Sequence, residues 1–316
     1  MALEEVRHYS DAPAISFDHM PELVGYTEEP AAMYVGSPGK RGYLNLGFEV
    51  NREGRSVMSE LDRRAPLIVQ QELYFDKELP DLPCVYILSS GGPNVDGDRF
   101  VQNFSLKKGA MAFISTGAAT KLAEMKSNYS GMSQTITLEE DAYLEFLPEP
   151  VIPHAHTRYI SDTKIVIAES AALFYSEIYM PGRKYYKDGE VFKYDVLSVC
   201  SHAERPDGAP LFREKFIIKP AEMPLRDTGV MAGYDVFANV FVLAPPRAAD
   251  AIYEATEAFI TPTLAQGITR LPSEAGLLLR ALGQEPGPVK KAVRAFCSQV
   301  RQTIKGKPMP AEFPWR

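Results

Sequence analysis

From Gly42 onward the chain is a succession of short runs rich in Val, Ile, Phe and Tyr, separated by Gly, Pro, Asp and Asn. That punctuation is the grammar of β-strands joined by turns. The runs include PLIVQQELYF (66–75), CVYILS (84–89), GAMAFIS (109–115), SQTITL (133–138), AYLEFL (142–147), TKIVIA (163–168), ALFYSEIYM (172–180), VFKYDVLSVC (191–200) and LFREKFIIK (211–219). In SQTITL, Ile136 and Leu138 point to one face while Thr135 and Thr137 point to the other, the period-2 pattern of a half-buried strand. VFANVFVLA (236–244) is apolar on both faces, which predicts a strand sandwiched between layers.

In the last quarter the period changes. RAADAIYEATEAFI (247–260) puts Ala251, Ile252, Ala255 and Phe259 on one helical stripe. SEAGLLLRALG (273–283) has a serine suited to an N-cap and ends in glycine, which predicts a second helix. In PVKKAVRAFCSQVRQTIKG (288–306), Val289, Val293, Phe296, Val300 and Ile304 form an apolar stripe, and Lys290, Lys291, Arg294 and Arg301 take the opposite face. Pro288 opens this helix and Gly306 closes it. The pattern therefore predicts a mainly β fold: stacked β-sheets in a β-helix-like or sandwich-like body, with two to three α-helices at about 247–306. Residues 1–41, with four prolines among many charges, read as an N-terminal extension, either lying extended on the body or partly disordered, ahead of a domain spanning 42–316.

Composition narrows the classes. The 316 residues are 45% apolar and 24% charged, enough to bury a sizeable core. A net charge of −7 and the lack of a basic run argue against nucleic acid as a partner. No apolar run approaches the ~20 residues of a membrane-spanning helix, and the N-terminus lacks the plan of a secretory signal. Cys84, Cys200 and Cys297 are odd in number and far apart, which fits a reducing cytoplasm and excludes a C-x-x-C motif.

Candidate chemistry is dispersed. In SSGGPNVDGDR (89–99), Gly92 and Gly97 have the glycine spacing of a phosphate-cradling loop, but Asp98-Arg99 stands where that loop needs Lys and then Ser or Thr. A strand-like segment follows instead of a helix, so the stretch reads as a Gly-rich turn crowded by Asp96, Asp98 and Arg99. In PHAHTRY (153–159), His154 and His156 share one face if the backbone is extended; two imidazoles are too few for a closed metal cage, and transient contact suits them better. Glu145 and Glu177 interrupt apolar strands, and Asp62, Glu149 and Glu190 are scattered acids. A carboxylate pointing into a sheet interior costs several kcal/mol unless it is paired or wet, so these acids predict ion pairs or a polar passage through the β body. There is no G-x-S-x-G elbow, and the only Cys near a His in sequence, Cys200 with His202, has no evident third member. No catalytic constellation emerges.

Five stretches together resemble one family. SSGGPNVDGDR, STGAATK (115–121), AYLEFLPEPVIPHAHTRY (142–159), LFYSEIYMPGRKYYKDGEVFKY (173–194) and KPMPAEFPWR (307–316) occur in the order and spacing of the urease accessory protein UreD, called UreH in some bacteria. The resemblance covers the chain from about Gly42 to its end. It implies a cytoplasmic, non-enzymatic chaperone that binds UreF directly, meets the GTPase UreG through UreF, docks on apo-urease, and self-associates within a larger complex. It also implies transient Ni²⁺ passing through a polar tunnel, with no tightly bound cofactor. Asp98, Glu145, Glu177, Glu190, His154 and His156 become candidates for the nickel path, and Arg183, Phe313 and Trp315 for partner surfaces, although Trp315 is equally able to pack on its own sheet. Pro93, Asn94 and Asp96 depart from the family pattern. The competing readings are a metal-dependent β-rich hydrolase using His154, His156 and nearby carboxylates, and a binding module without a metal role.

Overall fold

The computed structural model describes residues 13–30 and 38–310. The first strands are β1 (Arg41–Val50), β2 (Ser56–Arg64), β3 (Leu67–Ile68), β4 (Cys84–Ser89), β5 (Arg99–Leu106), β6 (Met111–Thr116) and β7 (Thr120–Leu122). Next come β8 (Ser130–Leu138), β9 (Tyr143–Leu147), β10 (Val151–Pro153), β11 (Arg158–Ile167), β12 (Ala172–Tyr179), β13 (Val196–Glu204) and β14 (Pro210–Ile218). The chain ends with β15 (Val236–Leu243), helix α1 (Pro246–Glu254), β16 (Phe259–Ile260), β17 (Leu264–Arg270), β18 (Gly276–Gly283) and helix α2 (Pro286–Lys305).

The strands form two sheets. One has the order β14-β13-β11-β8-β5-β1-β2; the other runs β16-β17-β18-β15-β12-β9-β6-β4-β3, with β7 and β10 attached beside β12. From β4 to β13 the chain steps back and forth between the sheets, so neighbours such as β5, β8 and β11, or β6, β9 and β12, pair in parallel. A parallel pair needs a crossover connection, and here the crossover is a strand of the opposite sheet. The β-helix-like, sandwich-like body expected from the sequence is what forms.

The apolar alternation fixes three layers. Leu44, Phe104, Ile136 and Ile165 of the first sheet meet Ile114, Phe146, Leu173 and Phe241 of the second. The far face of the second sheet carries Phe174, Val240, Val242 and Leu279, which pack against Val289, Val293, Phe296 and Val300 of α2. Strand β15 is thus covered on both sides, as its uninterrupted apolar run requires. Residues 13–30 lie across the outer face of the first sheet, where Phe17 and Leu23 pack with Tyr129 and Ile160. That part of the N-terminal extension is an arm on the body.

Two expectations are corrected. Residues 273–283 are not a helix: after a short 3-10 turn at Pro272–Glu274 they form β18, paired with β15 and β17. Leu277 and Leu279 face the helices while Leu278 enters the inter-sheet core, so the strand is buried on both faces and its apolar run carries no period that separates it from a helix. Gly276 begins it at φ 134°, where a Cβ would lie 2.0 Å from the Val242 carbonyl oxygen. Likewise α1 ends at Glu254, and Phe259 lies in β16, so strands and helices interleave in the last quarter.

Candidate functional site

The glycine-rich stretch is a tied turn. Gly92 and Gly97 take positive φ, 69° and 75°, and Asp98 is fully buried. Its Oδ1 accepts from the Lys40 backbone N–H at 2.9 Å, its Oδ2 accepts from Val95 N–H at 2.9 Å, and Lys40 Nζ lies 2.8 Å away. Burial nevertheless raises its pKa, against the pull of Lys40. Asp96 accepts from the backbone N–H groups of Lys126 (2.7 Å) and Asn128 (2.9 Å). Arg99 donates to the Tyr129 carbonyl at 2.5 Å and to Asn128 Oδ1 at 2.9 Å, and stacks 3.7 Å over the Tyr129 ring. The two carboxylates and the arginine crowd this turn because they hold it to 126–129 and to the start of β1.

Glu145 is equally committed, on the other side of the second sheet. It accepts from Arg301 Nε and Nη2, both at 2.6 Å, and from the Tyr143 hydroxyl at 2.5 Å; Arg301 also pairs with Asp76. All three charged side chains are fully buried. Arg301 therefore does not belong to the solvated face of its helix: one turn beyond Cys297, it sits at the edge of the buried stripe and is drawn inward by two carboxylates.

Arg183, Glu190 and His154 come together where the turn after β10 meets the loop after β12. Arg183 forks onto Glu190, with Nε 2.6 Å from Oε2, and stacks 3.7 Å over Tyr186. This pair, chiefly through its hydrogen bond, holds the Glu190 carboxyl below its ordinary pKa. Burial, followed by the nearby Arg183 charge, lowers that of His154. Gly182 makes the approach possible: at φ 132° a Cβ there would sit 1.9 Å from the Glu190 carbonyl oxygen. His156 does not share a face with His154, because residues 154–157 are a turn and His156 has φ 57°; its Nδ1 lies 3.2 Å from Asp195. Among the described residues neither histidine belongs to a group of three convergent metal-ligand atoms. Phe313 and Trp315 lie outside the described residues.

The arrangement with functional geometry is inside the sandwich. Gln102 of β5, Gln134 of β8, Thr163 of β11 and Ser201 of β13 are direct neighbours in register, forming one polar level across the largely apolar inner face of the sheet. The second sheet answers with Tyr175 and Glu177 on β12 and Asn239, opposite Glu177, on β15. Hydrogen bonds link Gln134 to Thr163 (3.4 Å), Thr163 to the Tyr175 hydroxyl (3.4 Å), Tyr175 to Glu177 Oε1 (2.6 Å) and Ser201 to the same oxygen (3.4 Å). Glu177 Oε2 has no hydrogen-bond partner among the described residues. Burial pushes its pKa up to about 7, despite the opposing pull of Tyr175, Ser201 and the Asn239 amide.

One end of the row opens. Gln102 lines a cleft of about 350 Å³ together with Ser89, Asn94, Thr116, Lys121 and Met132. At the far edge Glu214, next to Ser201 in register, pairs with Arg280, which is next to Asn239. Oxygen and amide donors thus run from a surface cleft, past an incompletely satisfied carboxylate, to a charged pair at the opposite edge. Of the acids singled out in the sequence, Glu177 alone lies on this row. Gln102, Gln134, Thr163 and Ser201 were missed; the signal available was a polar residue at an inward position in each of four consecutive strands of one sheet.

A family model described as UreD urease accessory protein matches residues 40–316. The chain is 43% identical over 296 residues to the urease accessory protein UreD 2 of Brucella suis, covering 93% of this chain and 98% of that one. It is 43% identical to UreD 3 of Methylorubrum populi, covering 93% and 96%. It is 42% identical to UreD of Yersinia enterocolitica, covering 94% and 93%.

Proposed function

The chain belongs to the UreD family of urease accessory proteins, whose role is in urease maturation, and from that premise we propose that it works as a non-enzymatic scaffold that conducts nickel through its interior toward apo-urease. In this reading it binds UreF directly and meets UreG through UreF. The observation that carries the proposal is the polar row ending in Glu177, whose Oε2 is buried without a hydrogen-bond partner among the described residues. Leaving a buried acceptor unsatisfied costs about 1–3 kcal/mol, more for a charged group, so an oxygen without a partner in a sandwich core calls for a compensating use.

The donors suit an ion in transit. Carboxylate, hydroxyl and amide oxygens hold a first-row divalent ion without the grip of thiolates. The row contains no cysteine: Cys84 and Cys297 are buried on the helix side of the second sheet. Glu145 and Asp98 act in this account as structural groups that hold, respectively, α2 and the cleft-side turn. Arg183 is assigned to a partner surface because its loop carries the exposed Tyr185 and Tyr186.

The test is maturation of urease by the Glu177→Gln chain, with nickel counted per urease active site and assembly with UreF and urease followed by pull-down. The expected result is a several-fold loss of nickel with assembly intact. Full nickel loading would remove Glu177 from the path, and lost assembly would make it structural.

A further inference from the structure

A second cluster of donor atoms lies on the opposite face of the first sheet, away from the polar row. Asp162 on β11 stands directly beside Cys200 on β13, and His202 follows two residues later on the same face. This face is turned away from the sandwich core: Ser198, in line with Cys200, bonds Glu22 of the N-terminal arm at 2.6 Å. The Cys200 sulfur, a His202 ring nitrogen and an Asp162 carboxylate oxygen all lie within 4.8 Å of one another.

Two details separate this trio from an ordinary surface ion pair. Asp162 Oδ1 and His202 Nδ1 are buried and 3.5 Å apart, too long for a good hydrogen bond, and the other group that Asp162 and His202 share is the Cys200 thiol. The neighbouring cations are largely spoken for: Lys164 pairs with Glu204 at 2.7 Å and Lys215 with Glu22 at 2.7 Å, which leaves Arg213 as the nearby positive charge. The side chains of Asp162 and His202 are 30% and 23% exposed, while Cys200 is buried beneath them.

We propose that Asp162, Cys200 and His202 form a binding site for a borderline divalent transition ion of the zinc type, distinct from the interior row. Sulfur, imidazole nitrogen and carboxylate oxygen are the three donor types such an ion takes, at about 2.0–2.3 Å. Tetrahedral coordination at those lengths sets ligand atoms about 3.5 Å apart, so the trio closes onto an ion by side-chain rotation, with no backbone rearrangement. Three protein ligands leave the fourth position to water, the pattern of an exchangeable site. Binding converts the Cys200 thiol to a thiolate and releases its proton.

The test uses Co²⁺ as a spectroscopic probe on the isolated full-length chain, with no urease present, so its outcome is independent of the maturation proposal. The expected result is one equivalent of Co²⁺ bound with a near-ultraviolet thiolate-to-metal band, bleached when Zn²⁺ displaces it. Cys200→Ser abolishes the band, and Asp162→Asn and His202→Gln each weaken binding at least tenfold, with far-ultraviolet circular dichroism unchanged. Burial raises the thiol pKa values of Cys84 and Cys297, so neither competes readily as a ligand. Absence of the band in the unaltered chain, or an Asp162→Asn titration superimposable on it, would overturn the site.

Discussion

Glu177→Gln separates a structural carboxylate from a functional one. The native carboxyl is buried between the sheets and titrates near pH 7, against an ordinary value of 4.5. The sign follows from proton counting. Between these two values the unfolded chain has released the proton that the folded chain still holds, so stability is fully present below about pH 4.5 and is lost as pH rises through about 7. At 1.36 kcal/mol per unit, a shift of about 2.5 units amounts to roughly 3 kcal/mol, of which roughly 2–3 kcal/mol accrues between pH 5 and pH 8. Glutamine cannot ionise and removes this slope. Its amide nitrogen is a donor where Oε2 is an acceptor, and Asn239 stands opposite it in register, so the substitution adds an offset that is the same at every pH. The pH dependence of the difference is therefore the clean quantity, not the difference at one pH. Urea unfolding of both chains at pH 5 and pH 8, followed by circular dichroism, measures it. The variant should gain roughly 2–3 kcal/mol on the native chain between the two pH values, while urease maturation falls. Parallel pH profiles would refute the buried, uncompensated carboxylate on which the reasoning stands.

Three further outcomes follow from the geometry. Glu145→Ala leaves the Arg301 guanidinium buried with Asp76 as its remaining carboxylate partner and should cost about 3–5 kcal/mol in denaturant unfolding; a loss under 1 kcal/mol would mean the network is wetter than described. Gly182→Ala drives a methyl against the Glu190 carbonyl and should destabilise the Arg183 loop by at least about 2 kcal/mol, read as faster hydrogen exchange over 182–192; unchanged exchange would contradict the close approach. Asp98→Ala strips the acceptor from the Lys40 and Val95 N–H groups and should speed exchange over 92–99 while the helices stay protected; an unaffected turn would return Asp98 to the list of functional groups.

The strands with clean alternation, such as β8, were readable because one face meets the core and the other does not. β18 was not, because Leu277, Leu278 and Leu279 are all buried and only pairing with β15 and β17 distinguishes them from a helical turn. Arg301 shows the limit of amphipathic reading: helical spacing puts it near the stripe edge, and two carboxylates from distant segments decide that it goes in. The polar row is invisible for a related reason. Gln102, Gln134, Thr163 and Ser201 are unremarked polar residues until register places them on one level. The same register supplies Asp162 as the third member of the Cys200–His202 pair. Pairwise chemistry within a strand is legible; chemistry between strands depends on pairing that no local pattern encodes.

The central claim, that nickel crosses the sandwich along this row, is tested most directly by removing the polarity of the row's cleft end. Gln102→Leu with Gln134→Leu replaces two buried amides by apolar groups of similar size and leaves the arm, the Arg183 loop and the helices intact. Urease matured by this chain should carry several-fold less nickel per active site, with UreF and urease still captured in the complex. Full nickel occupancy from an intact complex would show that the ion takes another route.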